Sequence, residues 1–235
     1  MARLYCGTSG FAYPSWKPDF YPAKTGQKDF LRHYASRLNA VEINYTFRQL
    51  PSASTLEKWV EATPAGFVFA CKAHQRITHI LRLKESEFTG VFFKAIDPLR
   101  SARRLGPVLF QLAPNFKCDA ALLAAFLEKL PPDLKYAFEF RNTSWLTDEV
   151  YRLLEKHQVS LCLAESDKLE IPHVITASFV YSRLRKGEYS VEERGEIRER
   201  VASLMAGGRD VYVFFKHEET AAGALYAEEL LHAAG

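Results

Sequence analysis

The sequence predicts an α/β fold in which eight parallel strands, each followed by a helix, curl into a closed barrel. Three observations predict it. Short runs rich in Val, Ile, Phe and Tyr alternate with amphipathic stretches along the whole chain. Two of these runs, 67–71 and 211–215, are apolar throughout, as strands buried on both faces must be. The 235 residues match the roughly 200 to 250 needed for a compact single-domain (β/α)8 barrel of the TIM type.

In order, strands are expected over 3–6, 40–45, 67–72, 107–112, 135–141, 160–163, 178–183 and 211–216. Helices are expected over 27–38, 52–61, 85–104, 119–130, 147–157, 190–205 and 221–232. Ser52 stands at the head of the second helix. Thr147-Asp148-Glu149 opens the fifth with a capping hydroxyl and two acids, where the helix dipole favours negative charge. Asp119 can cap the helix that Pro131-Pro132 ends, and Gly207-Gly208 closes the sixth helix. The stretch 164–173 has no helix-length pattern, so the unit after the sixth strand is expected to be irregular. An open doubly wound sheet would use fewer strands, and no Gly-x-Gly-x-x-Gly turn supports one.

Composition narrows the class. An aromatic content of 13% and an apolar content of 48% exclude a disordered chain. Four cysteines without paired spacing exclude a disulfide scaffold and fit a reducing cytosol, so a cytoplasmic location is expected. No run of about 18 apolar residues predicts a membrane span, and no apolar signal region follows the start. A net charge of +3 is too small to mark a nucleic-acid binder by bulk charge.

The informative charges stand at the strand ends. A charged group in a doubly buried strand costs several kcal/mol unless it is paired or solvated. Yet Glu42, Lys72, Gln111, Glu139, Arg141, Glu165, Arg183 and Lys216 all fall at or just beyond the ends of expected strands, and Asn44 shares a face with Glu42. A parallel barrel gathers these ends at one mouth. His74, Arg76 and His79 follow the third strand, Arg185 and Lys186 the seventh, and His217 the eighth. The resulting basic mouth points to an anionic ligand carrying phosphate or carboxylate. Glu42 with Lys72, and Glu139 with Arg141, would equally serve as scaffolding pairs.

Aromatic residues crowd the same end: Tyr13, Trp16, Phe20 and Tyr21 after the first strand, Tyr45 and Phe47 after the second, Trp145 after the fifth. Tyr13, Trp16, Tyr45 and Trp145 are candidates to stack on a base or sugar, or to pack loops on the rim. Thr8 and Ser9, between Gly7 and Gly10, form a small-residue turn whose amides could meet a phosphate.

These motifs also carry a family resemblance. Gly7-Thr8-Ser9-Gly10-Phe11-Ala12-Tyr13-Pro14-Ser15-Trp16, Val41 to Phe47, Phe67 to Lys72, Leu105 to Leu112, Glu139 to Trp145 and Tyr181 to Arg185 together resemble the YecE-like family, domain of unknown function 72. The resemblance spans essentially the entire chain. It implies a TIM-type barrel forming one domain over 1–235 and brings no established reaction. Phe215-Lys216-His217-Glu218-Glu219 departs from the Phe-Asn-Asn pattern of many relatives at the eighth strand.

For chemistry, Glu42 and Glu139 are the candidate acid–base pair, with Lys72 as a third catalytic candidate. Carboxylates near Lys72 would raise its pKa and oppose a Schiff-base role. Thr8, Ser9, Tyr13, Trp16, Asn44, Tyr45, His79, Gln111, Arg141, Trp145, Arg183 and Lys216 are the candidate substrate contacts. His74, His79 and His217 could contribute to a metal site, but the cations of the mouth would repel one, so no metal or other cofactor is expected. The expected function is metal-independent acid–base chemistry, a hydrolase or lyase, on a phosphate-bearing substrate, with nucleotides and nucleic acid among the candidates. The competing reading is a barrel that binds an anionic metabolite or a nucleic-acid end without turnover.

Overall fold

A computed structural model describes residues 2–165, 169–216 and 220–234. Eight strands are present among them, each within two residues of its expected ends: β1 (Leu4–Thr8), β2 (Ala40–Ile43), β3 (Val68–Cys71), β4 (Val108–Gln111), β5 (Tyr136–Glu139), β6 (Ser160–Ala164), β7 (Phe179–Leu184) and β8 (Asp210–Phe215). The helices are α1 (Phe30–Arg37), α2 (Tyr45–Arg48), α3 (Ala53–Glu61), α4 (Glu87–Ser101), α5 (Ala120–Glu128), α6 (Asp148–Lys156), α7 (Val191–Ala206) and α8 (Ala222–Ala234). The unexpected one is α2: Asn44 and Tyr45 leave the strand and begin a single helical turn.

The helix starts follow the capping chemistry. Ser52, Asp119 and Thr147 accept hydrogen bonds from Thr55, Leu122 and Val150 amides, each satisfying a donor the helix leaves open. Ser190 and Glu193 form a reciprocal capping box at α7. After β6, the described residues 169–177 contain no helix or strand.

All strand pairs are parallel. Six strands form one curled sheet in the order β1-β8-β7-β6-β5-β4, and β2 and β3 form a second. The single eight-stranded backbone ladder of the expected barrel is therefore replaced by two ladders with two seams. At the β3–β4 seam a few backbone bonds cross: Phe69 N donates to Arg104 O at 2.8 Å, Gly106 N to Phe69 O at 2.9 Å and Ala73 N to Leu109 O at 2.8 Å.

At the β1–β2 seam side chains take over. The Tyr34 hydroxyl accepts from Thr8 N at 2.8 Å and donates to Ala40 O at 3.0 Å. Asn39 accepts from Cys6 N and donates to Leu4 O, both at 2.8 Å. The buried backbone groups are thus satisfied without a ladder. The two chains still pass very close, because a Cβ on Gly7 would lie 1.8 Å from the Ala40 carbonyl oxygen.

Two apolar layers result. One lies between strands and helices and includes Tyr34, Phe69, Phe110, Phe138 and Trp145. The other fills the inside of the curl, where Ala40, Ala70 and Ala137 leave room for Tyr181, Tyr212 and Phe214. Two residues beyond Ala40, Ala70, Leu109, Ala137 and Tyr181 on the same faces stand Glu42, Lys72, Gln111, Glu139 and Arg183. A polar layer therefore caps the inner core at the carboxyl ends of the strands. No helix among the described residues is long and apolar enough to cross a membrane.

Removing the Tyr34 hydroxyl leaves the Thr8 amide and the Ala40 carbonyl without their bridge. Tyr34→Phe is expected to lower the unfolding free energy in urea by about 1–3 kcal/mol, and Gly7→Ala by more, since its Cβ meets backbone. Parental stability in Tyr34→Phe would show that the seam does not depend on this hydroxyl.

Candidate functional site

The polar layer is organised by Arg183 near the end of β7. The side chain is 2% exposed, in a position where an unpaired charge would be strongly destabilising. Its Nη2 donates to Glu42 Oε1 at 2.8 Å and its Nη1 to Glu139 Oε2 at 2.5 Å. The other oxygens are taken as well. Tyr181, two residues before Arg183 on the same face, donates its hydroxyl to Glu42 Oε2 at 2.8 Å. Gln111 Nε2 and Arg141 Nε each donate to Glu139 Oε1 at 2.8 Å. Gln111 can do so because β4 and β5 run with these two residues in register.

Burial by itself would raise both carboxyls. The charges of Arg183 and its companions outweigh it, holding Glu42 below its usual value and Glu139 down to about 2. Both stay ionised near neutral pH and hold Arg183 in place.

Lys72, just past β3, behaves otherwise. It is 9% exposed and its Nζ sits 3.9 Å from the centre of the Phe47 ring. It forms no salt bridge among the described residues. Burial, reinforced by Arg183, lowers its pKa to about 8 despite Glu42 and Glu139. The expected upward shift is thus reversed: burial, with the repulsion of Arg183, outweighs the pull of Glu42 and Glu139. His79 packs edge-on to the same Phe47 ring at 5.0 Å and is also pushed down, by burial and then by Lys72 and Arg141.

Arg185 completes the cluster, its Nη1 donating to Ser9 Oγ at 3.2 Å. Four cations, Lys72, Arg141, Arg183 and Arg185, therefore face two carboxylates. A cleft of about 600 Å³ opens at the Arg141 and Arg185 side of the cluster, lined in part by Glu139, Arg141, Asn142, Glu165, Arg185 and Lys216. That volume lies within the usual range for small-molecule sites.

The other expected residues separate from this group. Trp16 and Trp145 are wholly buried. Trp16 packs among Tyr13, Phe20 and Tyr21. Trp145 stacks on Phe140 and donates its indole N–H to Phe116 O at 2.7 Å. Thr8 is buried with its hydroxyl donating to Gly10 O at 2.6 Å. Glu165 stays on the wall of the same cleft, where it accepts from the amides of Arg185 and Lys186 and from the Tyr189 hydroxyl and so secures the loop after β7. His74 is tied to Arg48 O and the Arg76 amide. Asn44 donates to Ser9 O at 3.4 Å, while Tyr45 is 48% exposed; both line a smaller pocket with Tyr13. His217 lies outside the described residues. Among the described residues no group of three or more His, Cys, Asp or Glu is placed to hold a metal ion.

The family described as "Protein of unknown function DUF72" matches residues 5–235. The chain belongs to the DUF72 family. The UPF0759 protein YunF of Bacillus subtilis is 31% identical over 155 residues, 63% of this chain and 54% of YunF, so the matched region spans about half of that relative's length. A DUF72 family protein of Thermotoga maritima superposes with a TM-score of 0.86 at 26% identity, covering 99% of each chain. One from Enterococcus faecalis superposes at 0.81 and 22% identity over 99% of this chain and 96% of its own. The α/β fold with its curled parallel sheet is thus shared by DUF72 structures.

Tyr181 is the participant that reading strand ends alone overlooks, although its two-residue spacing from Arg183 marks it. Arg183→Met is expected to lose about 3–5 kcal/mol at pH 7, because two buried carboxylates lose their partner. The pH dependence reverses. In the parent, lowered carboxyl pKa values stabilise the fold above the usual glutamate range, and that stability is lost as pH falls towards about 2. In Arg183→Met burial raises the carboxyls, so stability falls as pH rises through the carboxylate range. Urea unfolding between pH 3 and 7 distinguishes the two slopes.

Proposed function

We propose that the eight strands form a closed (β/α)8 barrel making one domain over 1–235, and that its mouth binds a small phosphate-bearing anion. The protein performs metal-independent acid–base chemistry there, with Lys72 carrying the proton. Backbone bonds at the β3–β4 seam and the side-chain bridges of the β1–β2 seam support the barrel. One observation carries the function: every oxygen of the two buried carboxylates accepts a hydrogen bond from Arg183, Gln111, Tyr181 or Arg141, while the Lys72 ammonium is left beside Arg183 without a carboxylate partner among the described residues.

An anion at Lys72 and Arg141 would relieve the repulsion among the four cations and gain charge-assisted hydrogen bonds. A lysine whose pKa is about 8 both holds and releases a proton near neutral pH, as a general acid or base must. Glu42 and Glu139, held low, are poor acids and serve as the anchors of Arg183. The cationic cluster also disfavours a metal ion.

Calorimetric titration with inorganic phosphate is the direct test. Arg141→Ala and Lys72→Met are each expected to weaken binding about tenfold or more. Parental affinity should fall as pH rises through about 8, when Lys72 loses its charge, and that dependence should vanish in Lys72→Met. Undiminished, pH-dependent binding in Lys72→Met would remove Lys72 from the site. Phosphate release from phosphate esters then separates catalysis from binding, and catalysis requires Lys72.

A further inference from the structure

Beside the cationic cluster lies a second, differently built pocket of about 260 Å³. It is bounded by the turn after β1 and the end of β2, with Phe11, Tyr13, Ile43, Asn44, Tyr45 and Trp59 on its walls. Phe11, Tyr13 and Trp59 are half-buried and Tyr45 is 48% exposed, so ring surface remains accessible here while Trp16 and Trp145 are wholly enclosed. Two of the walls are braced from behind. Trp59 stacks on Phe69 at 5.8 Å and meets Phe11 edge-on at 6.2 Å, which holds its ring.

The pocket is joined to the cationic cluster by two short links. The turn α2 carries Tyr45 on the pocket and Phe47 under the Lys72 ammonium. Ser9 receives the Asn44 amide on its carbonyl and the Arg185 guanidinium on its hydroxyl.

We propose that this pocket is the subsite for a planar aromatic ring carried on the same molecule as the anion, so that the substrate class is a ring-bearing phosphate ester, a nucleotide or an aryl phosphate. The proposal rests on the reading of the mouth as an anion site and names what the rest of the ligand must be. Aromatic walls bind rings by stacking with little demand on their hydrogen-bonding edges. A braced tryptophan loses little freedom on binding. Asn44 adds one polar group at the junction, where ring and phosphate would be connected.

Binding is measured by calorimetry and by Trp59 fluorescence with inorganic phosphate, ribose 5-phosphate, phenyl phosphate and adenosine monophosphate. The ring-bearing ligands are expected to bind about tenfold tighter than the other two and to alter the fluorescence, with the fluorescence change abolished in Trp59→Phe. A gain with adenosine monophosphate alone would assign a nucleotide, and a gain with both would assign aryl phosphates generally. Tyr45→Ala removes an exposed side chain with no hydrogen bond or ring contact among the described residues, so folding is preserved. It should cancel most of the gain while leaving affinity for inorganic phosphate unchanged. Phosphate binding without any gain from a ring would overturn the subsite and leave the anion site standing. No binding of any phosphate would overturn the anion site, and the subsite with it.

Discussion

The interior of the mouth is ordered by one guanidinium held between two carboxylates. Arg183 reaches Glu42 from one ladder and Glu139 from the other, so it ties β2 to β5 across the inside of the curl. A planar, fork-shaped donor suits this role, since an ammonium would have no fixed geometry for two acceptors on opposite sides. Desolvating three charges is expensive, and hydrophobic substitutes of equal volume often stabilise a protein more. What the trio supplies is position. Tyr181, Gln111 and Arg141 fill the remaining carboxylate oxygens, and the network is closed on its acidic side. Among the described residues Lys72 then meets more positive than negative charge, with Glu42 and Glu139 offsetting Arg183 and Arg141 only in part.

That arrangement depends on the layer beneath it. Alanines on β2, β3 and β5 face the large rings of β7 and β8, so the inner core is filled mainly from one side. Each polar group then emerges two residues further along its strand, at nearly one height. The same two-residue period that packs the core therefore assembles the site, with no separate device needed.

This explains what the sequence makes legible. Strand positions are clear because apolar runs are bounded by capping residues such as Ser52, Asp119 and Thr147, whose local chemistry needs no tertiary information. The strand-end charges are equally visible, since little else explains a charge there. The partners are not visible in the same way. Glu42 and Lys72 look like a pair in the sequence, yet Arg183, 141 residues away from Glu42, takes the carboxylate. The pKa direction of Lys72 follows first from its burial and then from the repulsion of Arg183, neither of which the sequence displays. Trp16 and Trp145 resemble rim aromatics by position, but loops folding over them turn them into core. Glu165 is a third acid on the wall of the mouth, and only the structure shows that the amides of its neighbouring loop also claim it.

The seam between β1 and β2 has a further consequence. Backbone ladders are made from groups every residue but proline possesses, so most point mutations barely alter them. Here the joint consists of one tyrosine hydroxyl and one asparagine amide, beside a glycine that permits the approach. Its stiffness is therefore written in side chains and is heritable residue by residue. Because Ser9 and the aromatic pocket follow directly from β1, selection acting on Tyr34 or Asn39 could retune the rim's compliance without touching any group that meets a ligand.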